Sequence, residues 1–243
     1  MLTVWANGPG VPGQVCSDAR LTDQSRMSLP GFTRPMTAED QVYGQAGWDI
    51  GLAFRTLADL GKQLHSLSAP TPAQESPMPK SRGRIARLAI HLHGHSGELL
   101  LDGTDGGALL RSATVRLMVN DLAYISTALV ENPSNPATIL LAGCIAGQGR
   151  PGTDLLIELS RVWRNRKVVG FATIGFAHAS SMIRKGKKCT EPGMRDTDAQ
   201  ASGEADKQAG RKWSNLAVWP WADERSPRAK VALNGSIIRG AQW

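Results

Sequence analysis

The chain has 243 residues, a formal charge of +7, a pI near 9.7 and 41% hydrophobic residues. That length suffices for one α/β domain with a full core, and no run of about 18 apolar residues exists to cross a membrane as a helix. Three cysteines at unrelated spacings, Cys16, Cys144 and Cys189, argue against a disulfide framework and suit a reducing compartment.

Leu2 to Trp5 predicts a short first strand. The start of the chain lacks a basic stretch followed by a long apolar core, so no secretory leader is expected and the cytoplasm is the expected location, with signal-independent export left open. Residues 6–46 are rich in Gly, Pro, Ser and Thr and read as an irregular, wrapping segment. Trp48 to Leu67 reads as a helix with Ile50, Phe54, Leu57, Leu60 and Leu64 on one face. Residues 68–82 carry four prolines and read as a linker or long loop.

The legible core spans about residues 85–175. The run Arg87-Leu88-Ala89-Ile90-His91-Leu92-His93-Gly94 predicts a buried strand. After Gly97, Glu98 to Gly103 reads as a small hairpin partner. Val115, Met118, Leu122, Ile125 and Leu129 then recur at spacings of three and four, one apolar face of a helix. Asn132-Pro133-Ser134-Asn135-Pro136 stops that helix, because proline cannot continue it and restricts its predecessor. Ala137 to Cys144 is the second buried strand. A further helix follows, capped by Thr153 or Asp154, with Leu155, Leu156, Leu159, Val162 and Trp163 as its buried face. Lys167 to Ala172 is the next strand. Strand, crossover helix, strand is the unit that leaves strands parallel.

Residues 180–212 form a second polar stretch, with a basic cluster at Arg184-Lys185-Gly186-Lys187-Lys188. A basic surface attracts nucleic acid, anionic lipid or acidic polypeptide, but no nucleic-acid motif accompanies the cluster, and nucleic acid is not an expected partner. Trp213, Trp219 and Trp221 follow, as pocket lining or as cover for a sheet edge. Asn234-Gly235 between apolar pairs predicts a C-terminal hairpin.

Ligands of parallel α/β sheets sit outside the carboxyl ends of the strands. His93 and Cys144 end two strands joined by a crossover helix, so a base and a nucleophile are expected to share one rim. The thiolate is the reactive form of cysteine, and a neighbouring imidazole takes its proton or, charged, stabilises it. Against this stand two plainer expectations: buried thiols are commonly inert core, and a lone histidine is commonly structural. His95 competes with His93 as base, whereas His91 is expected to pack within its strand. His91, His93 and His95 also alternate along one face, as metal ligands would, but no aspartate-histidine pair follows them and only His65 and His178 remain. A serine-hydrolase elbow at Gly94-His95-Ser96-Gly97-Glu98 fails at Glu98, where that motif needs glycine, and in lacking a helix after the serine.

The pattern Leu92-His93-Gly94-His95-Ser96-Gly97, followed by Ala142-Gly143-Cys144, resembles the caspase-like cysteine peptidases. That wider group includes gingipain-type, legumain-type, clostripain-type and self-cleaving toxin peptidases. The resemblance covers about residues 85–175, and no caspase pentapeptide surrounds Cys144. It implies a single peptidase domain over residues 1–243, with a three-layer α/β fold whose mostly parallel central sheet is flanked by helices. It further implies a Cys144–His93 dyad, an oxyanion hole from the N–H groups of Gly94 and Cys144, and no cofactor. No third carboxylate is assigned, although Asp102, Asp105 and Asp154 are candidates. The implied substrate is a polypeptide: the chain itself, an associated effector or another protein. Cleavage within 180–212 during maturation follows from the same resemblance, as does polyanion activation through the basic cluster. The alternative is a caspase-like module that binds or regulates, its cysteine unused.

Overall fold

Short aliphatic runs broken by Gly, Asn and Pro build the sheet, and residues spaced at three and four build the helices that cover it. The structure, a computed structural model, describes residues 1–9, 50–68, 85–102, 107–173, 175–177, 183–184, 187–188, 217–219, 223–226 and 228–240. In chain order the elements are β1 (Leu2–Asn7), β2 (Ile50–Ala53), α1 (Leu57–Ser68), β3 (Ile85–His91), β4 (Gly94–His95), β5 (Glu98–Leu100) and β6 (Leu109–Arg111). A 3₁₀ turn (Val115–Met118), α2 (Val119–Thr127), β7 (Ala137–Ala142), α3 (Gly149–Val162) and β8 (Arg166–Phe171) follow. The last are β9 (Gly175–Ala177), β10 (Ile183–Arg184), β11 (Lys187–Lys188), β12 (Ala217–Trp219), β13 (Ala229–Leu233) and β14 (Ser236–Arg239).

Seven strands form the main sheet in the order β14-β13-β8-β7-β3-β1-β2. β2, β1, β3, β7 and β8 run parallel, while β13 is antiparallel to both β8 and β14. Asn234 and Gly235 take φ of 48° and 83°, the left-handed pair a two-residue hairpin needs. The predicted β3–helix–β7–helix–β8 succession is therefore present. β4, β5 and β6 form a separate small antiparallel sheet, so the predicted partner at Glu98 pairs with the chain right after His93.

The three helices pack on one face. Leu57, Leu60 and Leu64 of α1, Leu122 and Ile125 of α2, and Leu155, Leu156 and Leu159 of α3 share one core with Leu88, Ile90, Ile139, Leu141 and Val168. The opposite face carries Trp5, Ala89, Leu140, Ala142, Val169, Phe171, Ala229 and Val231, all buried, and receives no described helix. Helices on both faces, as expected for three layers, are thus found on one face only among the described residues. The reason is directional. The β2→β3, β3→β7 and β7→β8 connections all advance the same way across the sheet, and right-handed crossovers then fall on the same side.

Several predicted boundaries move. β3 and β7 end at His91 and Ala142, two residues before His93 and Cys144, the expected strand ends. Ile50 to Ala53 is a strand pairing with β1, not the first turn of a helix from Trp48; Trp48 itself lies outside the described residues. The helix begins only after Thr56, whose Oγ1 accepts from the Asp59 N–H at 3.1 Å while Asp59 Oδ2 accepts from the Arg55 N–H at 3.0 Å, a reciprocal cap close to the capping box. α3 starts at Gly149 rather than at Thr153 or Asp154, because Pro151 suits a first turn, where its missing N–H is not needed. β1 runs on through Ala6 and Asn7, the first residues of the segment read as irregular over 6–46, and Ser68 closes α1 rather than opening the loop read over 68–82. Residues 10–46 and 69–82 of those two segments, most of 180–212, Asp105, His178, Cys16, Cys189, Trp213 and Trp221 lie outside the described residues.

Candidate active site

Sheet register sets the site. Asn7 pairs with His91, and His91 with Ala142, in the last row of the parallel sheet. Leu140 pairs with Val169, which carries the same row on to Phe171. Two residues further along each chain stand His93, Cys144 and Thr173. Side chains alternate along a strand, so all three continue the face that carries Ala142, Val169 and Phe171, the face away from the helices. His93 and Cys144, predicted to share a rim, do stand at equivalent positions past neighbouring strands. His93 is exposed and Cys144 is half-buried and not in a disulfide.

The two strand ends interlock through glycine. A Cβ on Gly94 would sit 3.0 Å from the Cys144 carbonyl oxygen and 3.1 Å from that of Glu98. A Cβ on Gly143 would meet Leu99 Cδ2 at 2.3 Å and the Leu92 carbonyl at 3.3 Å. The glycine after His93, expected to admit substrate, also lets the two turns approach closely, since a Cβ there would press on backbone oxygens of both neighbours. The Leu100 N–H donates to the His93 carbonyl at 2.9 Å, which makes His93 and Leu100 a hydrogen-bonded pair. Gly94 and Leu99, the next pair, are then the wide kind, and the Gly94 N–H points away from β5.

Further hydrogen bonds clamp the turn that follows Cys144. The Gly97 N–H donates to the Ala146 carbonyl at 3.2 Å and Ser96 Oγ to the Gln148 carbonyl at 2.8 Å. From the other side, the Ile145 N–H donates to the Thr173 carbonyl and the Gly147 N–H to the Phe171 carbonyl, each at 2.9 Å. Between these anchors Ile145 has φ of 47°, a left-handed conformation that is an outlier for a β-branched residue and persists only where its surroundings impose it. Ser96, read in sequence as part of a failed elbow, thus fastens the histidine hairpin to the cysteine turn.

Under the turn, on the helix face, lies Lys230. It is fully buried, and its Nζ donates to Thr153 Oγ1 at 2.8 Å and to the Gly149 carbonyl at 3.3 Å. Burial lowers its pKa from the ordinary lysine value. The strand pattern Lys230-Val231-Ala232 reads as polar-out alternation and conceals this role.

His91 closes the β1 side. Its Nδ1 lies 2.6 Å from Asn7 Oδ1, which also accepts from Trp5 Nε1–H at 3.1 Å. An indole N–H only donates, so the Asn7 atom between them is the oxygen, and His91 must carry its proton on Nδ1. The ring leans on Trp5 with centroids 5.2 Å apart. Burial, with a smaller push from His93, brings the His91 pKa down from 6.5 to about 3, so the ring is neutral. The packed role expected of His91 agrees with this.

The other predicted candidates disperse. His95 is exposed and pairs with Glu98 across the β4–β5 hairpin. Asp102 Oδ2 accepts from the Ala108 N–H at 3.0 Å, closing the loop between β5 and β6, and Asp154 lies 3.9 Å from Arg150 along α3. Among the described residues no three His, Cys, Asp or Glu side chains come together as metal ligands, and no helix is long and apolar enough to cross a membrane. Comparison with protein-family models, with curated proteins and with solved structures gave no match.

Proposed function

We propose that this chain is a caspase-like cysteine peptidase in which Cys144 is the nucleophile and His93 the general acid and base. The observation that carries the reading is that His93 and Cys144 each stand two residues past His91 and Ala142, the last paired row of two adjacent parallel strands, with the backbones close at Gly94 and Gly143. His93 is favoured over His95 because the chain turns away into the β4–β5 hairpin beyond Gly94.

The Cys144 thiolate adds to the carbonyl carbon of a peptide bond, and its electrons move onto the oxygen. The N–H groups of Gly94 and Cys144 donate to that oxyanion, each such donor being worth about 3–4 kcal/mol in comparable sites. His93, holding the proton of the thiol, passes it to the departing amine as the C–N bond breaks. Water then attacks the thioester with His93 as base, releasing the acid and restoring the thiol. The substrate class is a polypeptide, no cofactor takes part, and a cytoplasmic site of action suits the thiol chemistry.

Limiting iodoacetamide, followed by peptide mapping of Cys16, Cys144 and Cys189, tests this. Selective alkylation of Cys144 that is lost in His93→Ala, with peptide-library cleavage lost in Cys144→Ala, is the expected result. Equal labelling of all three cysteines with no cleavage overturns it in favour of a binding module.

A further inference from the structure

Resting on the reading of Cys144 as nucleophile, we propose that Thr173 is a positioning residue whose hydroxyl donates a hydrogen bond to the Cys144 thiolate. Thr173 is fully buried, yet its Oγ1 has no hydrogen-bond partner. Buried hydroxyls are nearly always satisfied, and each exception calls for an explanation. The place of this one is specific. Thr173 continues β8 two residues past Phe171, as Cys144 continues β7 two residues past Ala142, and the Ile145 N–H is bonded to the Thr173 carbonyl at 2.9 Å. That bond carries the parallel ladder to the level of Cys144. By alternation both side chains continue the same sheet face.

Neighbouring strands lie about 4.8 Å apart, so groups one bond beyond Cβ on such a pair come within hydrogen-bond reach after a small χ1 rotation. A neutral thiol is a weak acceptor. The ionised sulfur is a strong one, and a donor that meets only the charged form favours ionisation. The hydroxyl is therefore idle in the resting protein and engaged once the proton leaves for His93. Among the described residues, the other titratable groups at this end of the sheet are His91 at the end of β3, His93 just after it and His95 in β4. Arg228 stands in the turn before β13, where its carbonyl accepts from the Ala172 N–H at 3.0 Å. Among the described residues, no other one at the end of β8 supplies a side-chain donor on this face.

The test is the pH profile of Cys144 alkylation by iodoacetamide in the full chain, read by mass spectrometry. Thr173→Val keeps the shape and removes the donor. Its profile should move up by about one pH unit, which is about tenfold slower labelling on the acid side and no change at alkaline pH. Thr173→Ser should restore the wild-type profile. The melting temperature of Thr173→Val should not fall, because the hydroxyl it removes has no partner to lose. Thr173→Ala, measured beside it, decides the matter if valine disturbs the packing. Superimposable profiles for wild type, Thr173→Val and Thr173→Ala overturn the proposal. If His93→Ala nevertheless abolishes selective labelling, the dyad survives without Thr173; if Cys144 is no more reactive than Cys16 and Cys189, both readings fall.

Discussion

Replacing His91 by asparagine isolates one source of acid sensitivity. The native ring is neutral with a pKa of about 3, against 6.5 for an ordinary histidine. Below pH 6.5 the unfolded chain takes up a proton that the folded chain refuses, so stability contributed by this group is complete above pH 6.5 and falls as pH drops toward 3. For a native value of 3 and an unfolded value of 6.5, the loss between pH 7.5 and pH 5 is about 2 kcal/mol. The figure is the same for any native value below 4, since at pH 5 the folded ring is then still unprotonated. Asparagine is the useful replacement because its amide nitrogen falls near the position of Nδ1 and can still donate to Asn7 Oδ1. Urea unfolding of both proteins at the two pH values measures the difference. The wild type should lose about 2 kcal/mol more than His91→Asn on acidification, although the variant starts lower at pH 7.5 through its missing contact with Trp5. Equal losses would refute the neutral, Nδ1-protonated ring and the orientation of Asn7 inferred from it.

Three further substitutions probe the parts that hold the site. Gly97 has φ of 72°, and a Cβ there would lie 2.4 Å from the Pro151 carbonyl carbon; Gly97→Ala should cost at least about 1–2 kcal/mol from backbone conformation alone and shift the denaturant midpoint accordingly. Ser96→Ala removes the bond to the Gln148 carbonyl, and should cost about 1 kcal/mol while lowering the selectivity of Cys144 labelling. Thr56→Ala removes the cap of α1, far from the cysteine; it should cost about 1 kcal/mol by chemical denaturation and leave labelling unchanged. An effect of Thr56→Ala on labelling equal to that of Ser96→Ala would mean that labelling reports global stability rather than the turn after Cys144.

The parallel core was legible because both of its periodicities are strong. Leu88, Ile90, Ile139, Leu141 and Val168 form uninterrupted apolar runs, and Leu122, Ile125, Leu155, Leu156 and Leu159 recur at helical spacing; all are fully buried. The error at residues 50–53 came from Ile50 and Phe54, whose spacing of four fits a helix as well as a strand leading into a turn. The sequence Thr56-Leu57-Ala58-Asp59 carried the correction, since it spells a helix start. The place of His93 and Cys144 just beyond two parallel strands was legible from the apolar runs that precede them. Asn7, Ser96, Thr173 and Lys230 were not, because their roles depend on register between segments distant in sequence. Lys230 meets Gly149 across 81 positions, and no local pattern encodes such a meeting.

The glycines deserve less weight as a catalytic signature than their place in the motif suggests, and Ile145 deserves more. Gly94 and Gly143 both sit where a Cβ would be crowded, at 3.0 Å from the Cys144 carbonyl oxygen and at 2.3 Å from Leu99 Cδ2; a non-catalytic scaffold with the same strand ends would favour glycine at both. Ile145, a β-branched residue immediately after the cysteine, has φ of 47°. Such a conformation costs of order 1–3 kcal/mol, and glycine or asparagine would adopt it with less strain. Here it is imposed by hydrogen bonds to Thr173 and Phe171 on one side and from Ser96 and Gly97 on the other. Its geometric effect is to turn the chain away from the line of β7 within three residues of Ala142, which keeps Cys144 in the turn at the end of the sheet rather than in a longer strand. Strain held at that one residue, with the fully buried Thr173 hydroxyl lacking a partner at the other end of the Ile145 hydrogen bond, is the local feature that the proposed reaction would use.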